Sequence, residues 1–561
     1  MDKVKHMKRL QHRHYGTLAL ALAFTAPALA QTTPPDAGRT LRDLQPAPGQ
    51  LPPRPSTSLA VPADADTKAD PGQRFPVKQV RIEGNRSIAL EELTPLVAGL
   101  AGRDASLGEL RQAAARITAL YRLRGFVVAR AFVPAQEMRD GVVNIAVLEG
   151  SLNSSTVLNG SIVHTPVLEG FVAAQGLNGK IIQSAQTDRE LLLLADLPAV
   201  GAVNGNLKPG REVGSSDLFI TVDPGRPYEG NLALDNYGNR YTGQARLTGS
   251  VDLNSPFKIG DRLSLRATVT DEQLLYGQAS YDLPVNRDGW RAGATLSASR
   301  YDLGQEFDQL DASGRATTAG LYSTYPALRG LNANLWLRGQ FDYRKLKDEV
   351  GATESDTRKS AKVALLEAYG DLADALGGGA YNTWRAGFTS GELDIDSADA
   401  LAYDRAGPRA QGSYQKYELA ATRLQAITPQ TSAYASLAAQ WAGKNLDSSE
   451  KFVLGGMYGV RAYPQGEGVG DSGWLANLEL RHNFTAGLEA TLFYDHGHVR
   501  FNHDSFAAGP NETTLKGYGA SVGARYQGFN LKATLAWRNG AASQTAPDHS
   551  PRLWLLASRG F

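Results

Sequence analysis

The sequence has no cysteine at all. That excludes thiolate metal sites, disulfide staples and cysteine nucleophiles, and it suits an exported chain. An excess of either charge is missing too: 58 basic side chains face 57 acidic ones, which leaves no electrostatic footprint for nucleic acid. Beyond residue 30 no apolar run approaches the ~20 residues that a membrane-crossing helix needs. Any membrane role must therefore use closed strands, because an open sheet edge cannot sit in lipid. The one long apolar run is at the start. Lys3, Lys5, Lys8, Arg9 and Arg13 precede Leu18 to Ala26, and Ala28-Leu29-Ala30 offers a small-residue cleavage site before Gln31. At roughly half the spanning length, this segment reads as a secretory signal peptide over residues 1–30 rather than an anchor. Tryptophan is absent before residue 229. All seven (Trp290, Trp336, Trp384, Trp441, Trp474, Trp537 and Trp554) lie where a barrel would set them as interfacial girdles.

What is present is alternation. From Gly517 to Tyr526 one face carries Tyr518, Ala520, Val522, Ala524 and Tyr526, and the other Gly517, Gly519, Ser521, Gly523 and Arg525. Leu531, Ala533, Leu535 and Trp537 likewise oppose Lys532, Thr534, Ala536 and Arg538, and Trp474, Ala476, Leu478 and Leu480 oppose Leu475, Asn477, Glu479 and Arg481. One side suits lipid and the other water, which is the signature of a transmembrane β-barrel. The chain ends on such a strand, Pro551 to Phe561, whose terminal aromatic is the expected assembly signal. At ~10 residues per membrane strand plus loops, residues 229–561 allow roughly 12 to 18 strands.

Residues 31–74 carry nine prolines and no aromatic side chain, and read as a linker without a core. Within it, the proline-free stretch Asp36 to Gln45 is compatible with a short plug helix or with solvated coil. Residues 75–150 predict strand (Val77 to Glu83), helix (Ala89 to Leu100), helix (Ser106 to Leu123), strand (Val127 to Val133) and strand (Gly141 to Leu148). Residues 151–228 repeat the order with Ser155 to Leu158, Thr165 to Gln175, Thr187 to Ala195, Gly201 to Leu207 and Asp217 to Val222, so a β-α-α-β-β module occurs twice in tandem.

Several local stretches carry a family likeness: Ala131-Phe-Val-Pro-Ala-Gln136, Gly141 to Gly150, Leu194-Ala-Asp-Leu-Pro198, Leu207-Lys-Pro-Gly210, Leu234-Asp-Asn-Tyr-Gly-Asn239, Gly459 to Pro464 and Leu492 to Gly497. Together they resemble the outer-membrane transporters of two-partner secretion (TpsB type, the haemolysin secretion/activation proteins), across nearly the whole chain after residue 30. The likeness implies a transmembrane β-barrel of sixteen antiparallel strands behind two periplasmic POTRA modules. It also implies a long loop whose tip folds back into the lumen, here Val460-Arg461-Ala462-Tyr463 with alanine where the family has glycine. Alanine has no easy access to positive φ, so the tip either differs in geometry or never needed it. The family pairs the tip arginine with an aspartate of a neighbouring strand, which maps onto Phe493, Asp495 and Gly497. Alone, the tetrapeptide is compatible with two unrelated solvated charges. With both motifs in order, 34 positions apart, a pair between Arg461 and Asp495 is expected. Alternation turns Glu489, Thr491 and Asp495 inward, with Phe493 as an apolar exception.

Other motifs weigh little. Gly519-Ala-Ser-Val-Gly523 lacks the strand-to-helix turn of a nucleophile elbow, and Gly466 to Gly470 reads as a flexible loop rather than a dinucleotide cradle. His496 and His498 want a third ligand, and Asp394, Asp396 and Asp399 lack the glycine and glutamate of a calcium loop. No catalytic constellation, metal or cofactor is therefore expected. The resemblance implies export of a large, unfolded exoprotein of adhesin or haemolysin type, bearing an N-terminal secretion domain, through a monomeric barrel in the outer membrane of a Gram-negative bacterium. Lipid and the barrel assembly machinery would be the other partners. The alternative is a POTRA-bearing factor that assembles or inserts other barrels.

Overall fold

The computed structural model describes residues 34–44, 56–61, 72–137 and 140–561. The expected signal peptide lies outside the described residues. Sixteen antiparallel strands, from Tyr228–Asp235 to Arg552–Gly560, close into a barrel in sequence order. Closure joins first to last, Asn231–Asp235 against Leu556–Gly560, and leaves no edge. The alternation sorts as expected: Leu492 is 62 % exposed on the outer face, whereas its neighbours Thr491 and Phe493 are buried inside. Outward leucines such as Leu265, Leu296 and Leu535 form the lipid-facing belt. Strands Ala312–Arg329, Ala333–Val350 and Ser355–Asp374 run to 18, 18 and 20 residues, well beyond the ~10 that cross a bilayer, so this wall rises above the membrane.

The aromatic girdle is less complete than composition suggested. Trp554 alternates with outward Leu553 and Leu555 and is buried inside the barrel. Trp336 shares the inner face with Arg338 and Asp342 and stacks on Tyr369 with ring centroids 5.6 Å apart. Both follow the strand's parity rather than the hydropathy of the side chain.

Ahead of the barrel lie two small α/β layers. In the first, helix Leu107–Leu123 starts with a capping box of Ser106 and Glu109 and covers the sheet Gln79–Glu83, Val142–Leu148 and Arg130–Phe132. The expected helix Ala89 to Leu100 forms as one turn, Leu90–Leu93, and two 3-10 turns, Thr94–Leu96 and Ala98–Leu100. Pro95 lacks the N–H that would continue the α ladder. In the second, helices Thr165–Gln175 and Ser184–Ala195 pack on strands Ser151–Asn159, Val200–Pro209 and Ser215–Pro224. In the first layer, the buried Glu149 accepts from the Arg86 and Ser87 amides at 2.6 Å each and from Tyr121 Oη at 2.8 Å, which hold its carboxyl below the usual range despite burial.

The second layer docks on the periplasmic turns of the barrel. Asp196 takes both Nε and Nη2 of Arg329 at 2.7 Å, and Arg189 donates to Pro326 O at 3.2 Å. The segment read as a linker is partly structured. Helix Ala37–Asp43, capped by Asp36, sits inside the barrel, and Thr57–Ala60 adds a strand to the second sheet. A seven-residue helix is marginal alone. Ala37, Leu41 and Leu44 are buried against Tyr241, Leu274, Tyr276, Tyr301 and Leu303 of the barrel, which decides the matter.

Candidate gating site in the barrel lumen

Residues 443–471 connect barrel strands Thr431–Ala442 and Ser472–Thr485 and turn back into the lumen. Phe452, Leu454, Val460, Ala462 and Tyr463 pack against Leu475, Phe493, Val499, Leu515 and Ala536 of the wall. Glycine gives the loop its depth. A Cβ on Gly497 would stand 2.3 Å from Leu454 Cδ1, and one on Gly517 would stand 2.6 Å from the Cβ of Ala462. Ala462 has no positive φ; its methyl group occupies the notch that Gly517 leaves, so the tip needs no glycine of its own.

Arg461 and Asp495 meet. Oδ2 of Asp495 accepts from the backbone N (3.0 Å) and Nε (2.9 Å) of Arg461, and Oδ1 accepts from Nη2 at 2.6 Å. The arginine is 4 % exposed and the aspartate 0 %. A planar fork on a carboxylate is the geometry that fixes orientation as well as charge. Phe493, the apolar exception of its face, lies flat beneath the guanidinium at 3.6 Å, a cation–π contact.

Three partners were not anticipated. Glu479 Oε1 accepts from Arg461 Nη1 at 2.7 Å while its other oxygen accepts from Arg481 Nε at 2.7 Å. Asn477 donates to Asp495 Oδ1 (2.8 Å) and Gly459 O (3.2 Å). Trp554 Nε1 donates to Arg461 O at 2.7 Å. Asn477 and Glu479 were legible as inward-facing, and a lone inward glutamate beside Arg481 was the available signal. Nothing in the sequence pointed to Trp554. Tyr463 completes the tip by donating to Ala541 O at 3.0 Å.

The segment Gly466 to Gly470, expected to be flexible, is instead a built part of the loop. Glu467 is buried and accepts from Ser543 Oγ, the Gln544 and Thr545 amides and Thr545 Oγ1 at 2.6–3.2 Å. Gly466 O accepts from Arg39 Nη2 at 2.5 Å, which brings the lumen helix into the same network. That helix is held at both ends: Asp36 accepts from Ser448 Oγ at 2.6 Å and from Lys359 Nζ at 3.4 Å, Arg42 pairs with Glu418 at 3.3 Å, and Asp43 accepts from Gln465 at 2.8 Å. Earlier in the loop Glu450 joins Lys416 (3.0 Å) and Arg344 (2.5 Å) of the wall. Helix and loop thus fill the lumen as one ion-paired body.

The remaining candidates lie apart. Phe561 is at the seam, its backbone exchanging 3.0 Å hydrogen bonds with Gly230, and Arg559 faces outward over the Phe529 ring at 5.0 Å. Ser521 sits mid-strand against Thr534. His496 packs on Trp474 at 5.0 Å, and among the described residues no cluster of three metal-ligating side chains occurs.

The family of haemolysin secretion/activation proteins (ShlB/FhaC/HecB) matches residues 214–526, and a ShlB-type POTRA domain matches residues 75–150. The chain belongs to that family. Its members are two-partner-secretion transporters, and this one is an outer-membrane barrel with POTRA modules in the periplasm. Among relatives, the heme/hemopexin transporter protein HuxB of Haemophilus influenzae is 27 % identical over 491 residues, covering 84 % of this chain and 85 % of that protein. The outer membrane transporter CdiB of Dickeya dadantii is 26 % identical over 519 residues, covering 87 % of each. Among solved structures, CdiB from Escherichia coli superposes with a TM-score of 0.70 at 20 % identity, covering 89 % of this chain and 93 % of that one.

Proposed function

We propose that this chain exports one large exoprotein, unfolded, from the periplasm to the cell surface, without catalysis or a nucleotide. The observation that carries the reading is a lumen filled by helix Ala37–Asp43 and the inward-folded loop around Arg461, both seated on the wall by non-covalent contacts, ion pairs and hydrogen bonds among them. A fixed structural filling would need no such latches. An extended cargo offers unpaired backbone groups, and the modules at 75–150 and 151–228 offer sheet edges where a strand can add, with side-chain pockets for selectivity. Arg461 and Asp495 anchor the loop, Val460, Ala462 and Tyr463 seat its tip, Phe493 and Gly497 shape the wall, and Phe561 marks the last strand for barrel assembly. The partner's name and activity are settled by co-expressing the transporter with candidate exoproteins and assaying the medium. Failure of every large exoprotein to appear outside the cell, with normal barrel levels, would refute export.

A further inference from the structure

On strands Arg291–Asp302, Ala312–Arg329, Ala333–Val350 and Ser355–Asp374 the face that carries the lipid-facing Leu296, Leu321, Phe341 and Leu366 ends in a row of cations. Arg300 stands directly opposite Arg315, Arg315 opposite Lys347, and Lys347 opposite Arg358. Lys345 shares that face one step below Lys347. Nine residues lead from Arg291, at a periplasmic turn, to Arg300. At ~3.3 Å per residue and a tilt of ~40°, the row stands about 23 Å above that turn, at the top of the ~25 Å apolar band.

Part of the row is answered from above. Glu349 and Asp356 take Lys347 at 2.5 and 3.8 Å, and Asp356 also takes Arg358 at 3.1 Å. Among the described residues Arg300, Arg315 and Lys345 have no carboxylate partner: Asp302 bridges neither arginine, and Glu349 acts on Arg315 only at longer range. Lys345 Nζ lies 5.7 Å from the centre of the Tyr343 ring. Like charges directly opposite one another destabilise a strand pair. Three unanswered cations on adjacent strands therefore call for an anion from outside the chain.

Below them an apolar groove of about 1060 Å³ opens in the outer wall. It descends from Lys345 past Leu296 and Leu265 to Leu232 and Phe561 at the seam. Ala267, Gly277 and Ala298 face one another across its floor, and a Cβ on Gly277 would meet nothing within 4 Å. A soluble phosphate would use the cations and leave the groove empty. A protein partner would have to enter the apolar band.

We propose that Arg300, Arg315 and Lys345, together with this groove, bind a phosphorylated glycolipid of the outer leaflet. Its phosphates lie against the two guanidinium groups and the ammonium, and an acyl chain fills the groove. The site belongs to the lipid shell of the barrel and stands whether or not the chain exports protein.

The test uses the full-length protein in neutral detergent. The unfolding midpoint is read by heat-modifiability, and lipid binding by native mass spectrometry, with lipid A, lipid A stripped of its phosphates, or phosphatidylglycerol. Wild type is expected to gain stability with lipid A and to bind it at least tenfold more tightly than the phosphate-free form. Equal binding of the two forms overturns the site, and a larger gain from phosphatidylglycerol overturns the glycolipid assignment. The triple variant Arg300→Gln, Arg315→Gln, Lys345→Gln is expected to match or exceed wild-type stability in detergent alone, since it removes like-charge repulsion, and to lose the response to lipid A. A response equal to that of wild type overturns the role of the cations. Gly277→Trp projects into open groove, so a barrel of normal heat-modifiability is expected to bind lipid A severalfold more weakly. Wild-type binding by that variant overturns the groove as the acyl seat.

Discussion

Replacing Arg461 with alanine removes a cation that three groups address at once: Asp495 through the fork, Glu479 through Nη1, and the Phe493 ring beneath. Leaving one charge of a buried pair unmatched costs about 3–5 kcal/mol, and a desolvated cation–π contact contributes about 2 kcal/mol. Because Glu479 keeps Arg481, the orphaned charge is chiefly that of Asp495, and a cost of about 4 kcal/mol is expected. At 1.4 kcal/mol per tenfold, that shifts the seated-to-released ratio of the loop by roughly a thousandfold. Asp495→Ala should cost less, since Glu479 remains 2.7 Å from the guanidinium. The double variant should be no worse than Arg461→Ala alone, a coupling of about 2 kcal/mol or more between touching residues. Arg461→Lys keeps the charge but loses the planar fork and the stacking, and should fall between wild type and alanine. The assay is export into the medium together with protease access to residues 443–471 on intact cells, normalised to heat-modifiable barrel. Strictly additive losses, or full export by Arg461→Ala at normal barrel levels, would refute the anchoring role.

Leu41→Asp puts a charge among Tyr241, Tyr276 and Leu303; it should expel the lumen helix, and planar-bilayer conductance should rise severalfold while barrel yield stays normal. Deleting Phe561 removes the reciprocal 3.0 Å bonds to Gly230 at the seam and should lower outer-membrane levels, read as loss of heat-modifiable protein. Glu190 on helix Ser184–Ala195 is 1 % exposed with both carboxylate oxygens unpartnered, and burial raises it from 4.5 to about 7. The folded module therefore binds more protons than the unfolded one between those values, so stability falls as pH rises through that window, by roughly 3 kcal/mol in all. Glu190→Gln should abolish that slope and protect the helix better at pH 8, measured by hydrogen exchange on the full-length protein.

Much of this was legible because a barrel wall obeys parity. Once Leu488 and Leu492 face lipid, Asp495 must face the lumen, and the arginine 34 positions earlier becomes its natural partner. Parity also misled where hydropathy was allowed to overrule it, as at Trp554 and Trp336, which face inward. The proline-rich segment resisted reading for a different reason. Asp36 to Leu44 and Thr57 to Ala60 have too few apolar residues to specify structure locally, and their order is supplied by the barrel wall and the second sheet. Glu467 shows the same limit: a Gly-Glu-Gly sequence looks loose until the loop 539–551 delivers four donors to its carboxylate.

The contact between Ala462 and Gly517 makes the two positions a single volume shared across 55 residues of sequence. There is room for one methyl group between loop tip and wall, and it can be carried on either side but not on both. Gly517→Ala alone should unseat the tip, and Ala462→Gly alone should leave a small void. The exchange Ala462→Gly with Gly517→Ala should restore the fit. Drift at one position is thus permitted only in step with the other.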